Sequence, residues 1–509
     1  MKERRRIDFL IPLVGSGSGY SFYEGLAKEL RRRGYRVGFV SGVRARLRYD
    51  LREIMRRLGG GFHYFDLEER VERIRGHVDI DREIDRIVEE YGIKDFKLFY
   101  FPEKVHTYNE NKEDDRFIEI TVYNFLAAED LFNEYDIGCV IEYPGPELLR
   151  RILYNVARKR GILSIYMGWS PIQGCVFLYS NETKVWDDLE VKDYSSLTPE
   201  ERRAAEEYIR VFVESRGEVV RHYEKKKMTQ IVKAKKKGLL PRYTKLDILL
   251  PLVYECYDID YLKGVHSFIK FFIWKRIRSV RKFYYYHFVY PSLEESRRRI
   301  REERYLFYPL QYPRESRIAI RAPQFFRQER FVELVAKALP DGYKLFVKDH
   351  PSRVGDLPYG TIERISRIEG VSWLHPKLKT YEAVKYCDAV VTINNTPGFE
   401  ALLYGKPVVT LGIAFYGGYG LTKDVVDPSP SKVREAILEA IRDGVDRKLL
   451  VSYVSGLLKA SLPGSFYDVS RESISRWVDY ILDFRERHKD DFEENPYIRK
   501  ALQRIYRID

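Results

Sequence analysis

Apolar and polar positions along the chain alternate between two periods. Near the N-terminus, IDFLIPL (7–13) is an apolar run of buried-strand type, followed by a GSGSG turn (15–19). SFYEGLAKELRRRG (21–34) has helical spacing closed by a glycine, and YRVGFVSG (35–42) reads as the next strand, so the segment predicts a βαβ unit. The highly charged stretch 45–120 predicts helices around LREIMRRLGG and VDIDREIDRIVEEYG. Strand–helix–strand alternation resumes with IGCVIEY, PELLRRILYNVARKRG and ILSIYMG, predicting a parallel sheet covered by helices over 1–180.

Residues 181–300 read as helical. LTPEERRAAEEYIRVFVE carries a helix start, with Thr198 as cap, Pro199 in the first helical position and Glu201 three residues after the cap. FIKFFIWKRIRSVRKFYYYHF (268–288) interleaves aromatic and basic residues. Two readings stay open for it: a helix packed between domains with solvated arginines, or a surface for anionic membrane or a lipid-linked acceptor. In the C-terminal half, strands YLFYPLQ, YKLFVKDH, VSWLH, DAVVTIN and PVVTLG alternate with four helical stretches, as a second doubly wound sheet requires. A long amphipathic helix follows. The expected organisation is an α/β chain of two Rossmann-like, doubly wound domains facing a cleft: a first domain at 1–180, a helical insertion and connection at 181–300, a second domain at 301–463, and C-terminal helices at 464–509 packing back on the first domain.

Composition narrows the function. The 509 residues exceed what one hydrophobic core normally organises. Lys+Arg 89 against Asp+Glu 76 gives +13, which points to phosphate-bearing partners. The positive charges are spread along the chain and no nucleic-acid motif appears, so no nucleic-acid partner is expected. The four cysteines lie far apart with no CxxC pair, against zinc and for a reducing, cytoplasmic compartment. The basic start MKERRR with its short apolar run reads as a first strand, because it enters a glycine turn and no cleavage site of the A-x-A kind follows. No segment approaches the roughly 18 uncharged apolar residues of a spanning helix. The expected location is the cytoplasm, at the inner face of the membrane if 268–288 binds lipid.

Ligands of open parallel sheets bind beyond the carboxyl ends of strands, where helix N-termini present N–H groups and a positive dipole end. VKDHPSR ends such a strand: Pro351 stops it, and Lys348, His350 and Arg353 are candidates to face a phosphate. TINNTPGFEALLYG leaves the next strand but one through Asn394 and Asn395, caps a helix near Thr396, and places Glu400 within it, in reach of ribose hydroxyls. Two anion-ready ends in one sheet favour a bound nucleotide phosphate.

The series FYPLQYPRESRI, RFVELVAKALPDGYKLFVKDHP, TYEAVKYCDAVVTINNTPGFEALLYGKPVVTLG and AFYGGYGLT resembles the capsule polysaccharide biosynthesis family, most strongly over 300–422. Its characterised members are β-Kdo glycosyltransferases of the GT-B type. The resemblance implies a GT-B-like fold and a nucleotide-sugar donor bound by His350, Pro351 and the helix start at Asn394, Asn395 and Thr396. His-Pro pairs of this kind recur in transferases using CMP-activated acidic sugars, bacterial sialyltransferases among them, so a CMP-sugar such as CMP-Kdo is the first expectation, with a saccharide or lipid-linked acceptor. The chain departs from the family where an acidic residue and Ser-Gln usually follow PLQ: here stand Glu315, Ser316 and Arg317. Asn394-Asn395-Thr396 replaces the usual Asn-Ser-Thr.

Transfer needs a phosphate leaving group whose charge is neutralised and an acceptor hydroxyl that is aligned or deprotonated. His350 and Lys348 fit the first task, and no metal or other cofactor is expected. Glu142, after IGCVIEY, and Glu24, in the helix after GSGSG, are the acceptor-side carboxylates; each also reads as an ordinary helix-start acid, and Glu142 is preferred. Gly15, Gly17 and Gly19 do not form G-x-G-x-x-G and are read as an acceptor-side loop. His106 reads as incidental. The competing functions are a polyol-phosphate transferase or sugar-nucleotide 2-epimerase on the same scaffold, and a non-enzymatic basic protein at a membrane or nucleic acid.

Overall fold

The computed structural model describes residues 5–13, 20–42, 51–106, 113–143, 145, 147–182, 186–217, 276–311, 316–351, 353–425 and 427–489. Contacts divide the chain into two units, Met1–Asp188 with Ala460–Tyr506, and Leu189–Lys459. The described residues of 189–300 therefore belong with the second sheet and do not form a separate body.

The first unit holds β1 (Arg5–Ile7), β2 (Phe9–Pro12), β3 (Val37–Ser41), β4 (His63–Asp66), β5 (Tyr135–Ile137), β6 (Cys139–Glu142), β7 (Leu163–Trp169) and β8 (Cys175–Tyr179). The second holds β9 (Tyr305–Pro309), β10 (Lys344–Lys348), β11 (Val371–Leu374), β12 (Ala389–Thr392), β13 (Val408–Thr410) and β14 (Lys423–Asp424); β15 (Leu462–Pro463) returns to the first.

The first large sheet has the order β15-β8-β7-β6-β2-β3-β4, parallel from β4 to β7, with β8 and β15 antiparallel at one edge. The second is wholly parallel, β11-β10-β9-β12-β13-β14. In both, the first central strand has its successor on one side and a later strand on the other. The order therefore reverses between β2 and β6, and again between β9 and β12. These are the switch points beyond which doubly wound sheets bind ligands. Strands β2, β6, β9 and β12 are buried at every position, which explains their largely apolar sequence; the exceptions, Glu142 and Thr392, stand at the carboxyl ends of β6 and β12.

Helix α1 (Tyr20–Arg32) follows β2, and α2 (Leu148–Lys159) follows β6. The helix Pro199–Glu214 starts with a complete capping box between Thr198 and Glu201. Of 268–288, the part before 276 lies outside the described residues. Helix α3 (276–284) continues into a wide turn at Tyr285–Val289. One face packs on the second unit: Arg278 pairs with Asp356 at 2.6 Å, and the buried Tyr285 donates to the Leu357 carbonyl at 2.9 Å. Gly355, at φ +92°, allows this approach, since a Cβ there would stand 2.5 Å from the Arg278 carbonyl oxygen. The other face exposes Ile277, Val280, Phe283, Tyr284 and Phe288, with Phe283 61% and Phe288 71% exposed. Among the described residues no helix is long and apolar enough to cross a membrane.

Helix α4 (Thr396–Leu403) follows β12, and α5 (Arg471–His488) closes the first unit. The side chains of Ile474, Trp477, Val478, Ile481 and Phe484 on α5 enter the same core as Phe9, Phe22 and Leu26. The Trp477 ring meets Phe22 edge-on at 5.2 Å.

Candidate functional site

At the second switch point the tips of β9 and β12 are joined through side chains. Gln311, just beyond β9, donates from Nε2 to Asn394 Oδ1 at 2.9 Å. Asn394 donates to the Arg317 carbonyl at 2.7 Å, and Asn395 to the Pro309 carbonyl at 2.9 Å. Gln311 is itself clamped by Gln328, whose amide accepts from the Gln311 N–H at 2.8 Å and donates to its carbonyl at 2.6 Å. The side chain of Gln328 thus does what a neighbouring strand would do. All four amide side chains are buried.

Asn395, and not Thr396, caps α4: its Oδ1 accepts from the Gly398 N–H at 3.1 Å. Thr396 is the first helical residue, followed by Pro397, which has no N–H to satisfy. Gly398 is required by packing, because a Cβ there would run into the Tyr416 hydroxyl, which donates to the Asn395 carbonyl at 2.7 Å. Thr396 Oγ1 accepts from Arg317 Nη1 at 2.8 Å. Glu400 lies half-buried one turn further along α4.

The His-Pro segment ends β10 on the other side of β9, with Leu310 donating to the Lys348 carbonyl at 2.9 Å. Two strand spacings, about 10 Å, separate it from the tip of β12. Residues 348–351 and 394–400 therefore share one edge of one sheet. Lys348 is buried, against the expectation of a side chain presented to ligand, whereas His350 and Pro351 are exposed. Between them Asp349 is buried; its carboxylate accepts from the His350 N–H at 2.7 Å and from the Tyr290 hydroxyl at 2.8 Å. Burial pushes the Asp349 carboxyl up to about 6, against the hydrogen bonds and the nearby Lys348 charge.

At the first switch point Glu142 ends β6, fully buried, with neither carboxyl oxygen hydrogen-bonded among the described residues. Burial pushes its pKa well above the usual carboxylate range, and the Arg150 guanidinium opposes that shift only in part. The helix-start role open to Glu142 belongs to Glu103, whose Oε2 accepts from the Leu148 N–H at 2.8 Å. Around Glu142 stand Arg150, Tyr23 and Tyr166, all buried. Burial pushes the Tyr23 hydroxyl up to about 12.

Glu24 lies in the second turn of α1 as described, not the first, and pairs with Arg57 at 3.4 Å. Gly15, Gly17 and Gly19 lie outside the described residues, as does the side chain of His106 at the end of its helix. Sequence reasoning missed Gln311, Gln328, Arg317 and Asp349 as site-forming residues. The signal for Gln311 was present in its place just past a buried strand; Gln328 had none, because its role depends on a contact 17 residues away.

The site lies inside the stretch where comparison is informative. The family model for capsule polysaccharide biosynthesis protein matches residues 224–454, a little under half of the chain. The capsule polysaccharide modification protein LipA of Neisseria meningitidis serogroup A is 30% identical over 126 residues, 25% of this chain and 18% of that protein. The capsule polysaccharide export protein KpsS of Escherichia coli is 37% identical over 91 residues, 17% of this chain and 23% of that one. This chain thus spans less than a quarter of the length of either relative. Among solved structures, the Thermosulfurimonas dismutans KpsC beta Kdo 2,4 transferase is similar at 14% identity and TM-score 0.33, over 65% of this chain and 85% of that one. The strand order above, and not that superposition, defines the fold.

Proposed function

We propose that the chain is a glycosyltransferase of the GT-B type. It would transfer a sugar from a nucleotide-activated donor, with a CMP-linked acidic sugar such as Kdo first, to a saccharide or lipid-linked acceptor in surface polysaccharide biosynthesis. The observation that carries this reading is the buried amide cluster at the second switch point, within the family-matched stretch, beside a capped helix start.

In this reading the N-terminal end of α4 and the exposed imidazole of His350 meet the phosphate that leaves with the nucleotide. Buried Lys348 adds positive potential from below the strand tip, Pro351 fixes the turn, and Glu400 takes ribose hydroxyls. On the acceptor side the reading assigns Glu142: held neutral by burial, its carboxyl aligns the acceptor hydroxyl by accepting its hydrogen bond on the C=O oxygen, and it can take the hydroxyl proton only after releasing its own to solvent. Glu24, already paired with Arg57, takes second place, with the loop of Gly15, Gly17 and Gly19 beside it. The leaving-group charge is met by protein dipoles and cations, so no metal is assigned. We place the protein in the cytoplasm at the inner membrane face, with the aromatic side chains of α3 in the headgroup layer and Arg276 and Lys282 toward anionic lipid.

Thermal-shift screening with CMP, UDP, GDP and their sugars tests the reading. A ligand at 100 times its Kd adds about 2.7 kcal/mol to the folded state. The expected result is selective stabilisation by one nucleotide, weakened by His350→Ala, and release of that nucleotide only when a saccharide acceptor is added. No stabilisation by any nucleotide, or release of a free epimeric sugar nucleotide, overturns it.

A further inference from the structure

Arg317 stands in the helical turn Ser316–Ala319, where the chain departs from the family it resembles, and the structure gives it an unusual position. Its guanidinium is half-buried and reaches the first residue of α4, donating from Nη1 to Thr396 Oγ1 at 2.8 Å. Its backbone is fixed there too, since its carbonyl accepts from Asn394 at 2.7 Å. Among the described residues no carboxylate pairs with it.

That placement runs against the usual distribution of charge on helices. The N-terminal end of a helix carries about half a positive charge, and acids are favoured there while cations are favoured at the opposite end. Here a cation with no carboxylate partner among the described residues is tied to the positive end of an eight-residue helix. The cost of this arrangement disappears when an anion sits against both. A second observation marks the same place as incomplete. Gln311, 8% exposed and held through Nε2 to Asn394, has its Oε1 buried with no hydrogen-bond partner among the described residues. Buried acceptors are nearly always satisfied, and exceptions mark places where a partner is still to arrive.

We propose that Arg317 is the phosphate-binding cation of this site: the guanidinium N–H groups not used on Thr396 and the start of α4 together hold a nucleotide phosphate, and Gln311 Oε1 accepts from a donor group of the same ligand. The proposal deepens the nucleotide-sugar reading and rests on it for the identity of the ligand, though not for the anion site itself. The guanidinium suits the task because its planar fork can keep one N–H on Thr396 while two others face phosphate oxygens.

The test uses the full-length chain and calorimetric titration with CMP, UMP and GMP, the matching nucleosides, and inorganic phosphate, for wild type, Arg317→Gln and Arg317→Lys. Circular dichroism and melting curves establish that each variant is folded. The expected result is a loss of about 10- to 100-fold in affinity for the preferred nucleotide in Arg317→Gln, partial recovery in Arg317→Lys, and unchanged affinity for the nucleoside. If the nucleotide binds equally well to wild type and Arg317→Gln, the proposal is overturned while the transferase reading stands. If no nucleotide binds but phosphate does, in an Arg317-dependent way, the anion site stands and the transferase reading falls. If neither phosphate nor any nucleotide binds, both fall.

Discussion

Replacing Glu142 by Gln keeps the shape of the side chain and removes its titratable proton. In the folded protein the carboxyl is fully buried, without a hydrogen-bond partner among the described residues, and held well above its ordinary pKa by desolvation. In the unfolded chain it ionises near pH 4.3. The sign follows from the protons bound in each state: above that pH the unfolded chain has lost a proton that the native protein keeps. The native state therefore loses stability relative to the unfolded one as pH rises, by about 1.4 kcal/mol per pH unit, until the folded-state pKa is passed. The stability tied to this proton is complete below about pH 4.3 and disappears above it. The Gln variant lacks this slope, so the difference between variant and wild type grows in favour of the variant by about 1.4 kcal/mol per pH unit from about pH 5 upward. Urea denaturation followed by tryptophan fluorescence, at half-unit steps between about pH 5 and 8, reads that difference from the midpoints at constant slope. Transfer activity of the same variant should fall about 100-fold or more if the proton is used in catalysis. A stability difference that stays flat over the range would refute the reasoning, because it would mean that Glu142 is ionised in the folded protein.

Asp349→Asn should behave similarly over a narrower window: with the folded carboxyl at about 6, stability is lost between about pH 4 and 6, roughly 3 kcal/mol in all, and the Asn variant should lack that decline in pH-dependent melting curves. Gly398→Ala should cost about 1–3 kcal/mol by driving Tyr416 off the Asn395 carbonyl, and Tyr416→Phe in the same chain should recover part of that loss; strictly additive effects in a double-mutant cycle would argue against the contact. Phe283→Glu with Phe288→Glu should abolish co-sedimentation with phosphatidylserine-containing vesicles, and wild-type binding should weaken with salt; equal binding of variant and wild type would remove α3 from the membrane role. Turnover should survive excess EDTA, whereas loss restored by added magnesium would require a metal site.

The architecture was legible because its strands are buried on both faces and separated by helical periods: β2, β6, β9 and β12 are each apolar up to their carboxyl ends, with no alternation to misread. The helix cap was misread by one residue because Asn395 and Thr396 are both good capping types, and only the backbone decides; Asn395 is extended, at φ −84° and ψ 165°, whereas Thr396 is already helical. Lys348 was expected at the ligand because it sits at a strand tip. The alternation of a strand also points every second side chain to one face, and which face is covered is not written in the local sequence. Asp349 went unnoticed beside the His-Pro pair because its partner, Tyr290, lies 59 residues away in the chain. Glu142 was singled out from its position at a strand end, whereas its burial without a hydrogen-bond partner among the described residues is a property of the packed interior alone.

The return of α5 to the first unit has a consequence for biosynthesis. The face of the first sheet that receives Trp477 and Ile481 is finished only after the whole second unit, Leu189–Lys459, has left the ribosome. At about 5–20 residues per second, the 300 residues between Asp188 and His488 take about 15–60 s to make. During that interval Phe9, Phe22 and Leu26 have no cover from the helix that belongs over them. The nascent chain must therefore be shielded by chaperones or fold in an order opposite to the one in which it is synthesised, with the later unit settling first and the earlier one closing last.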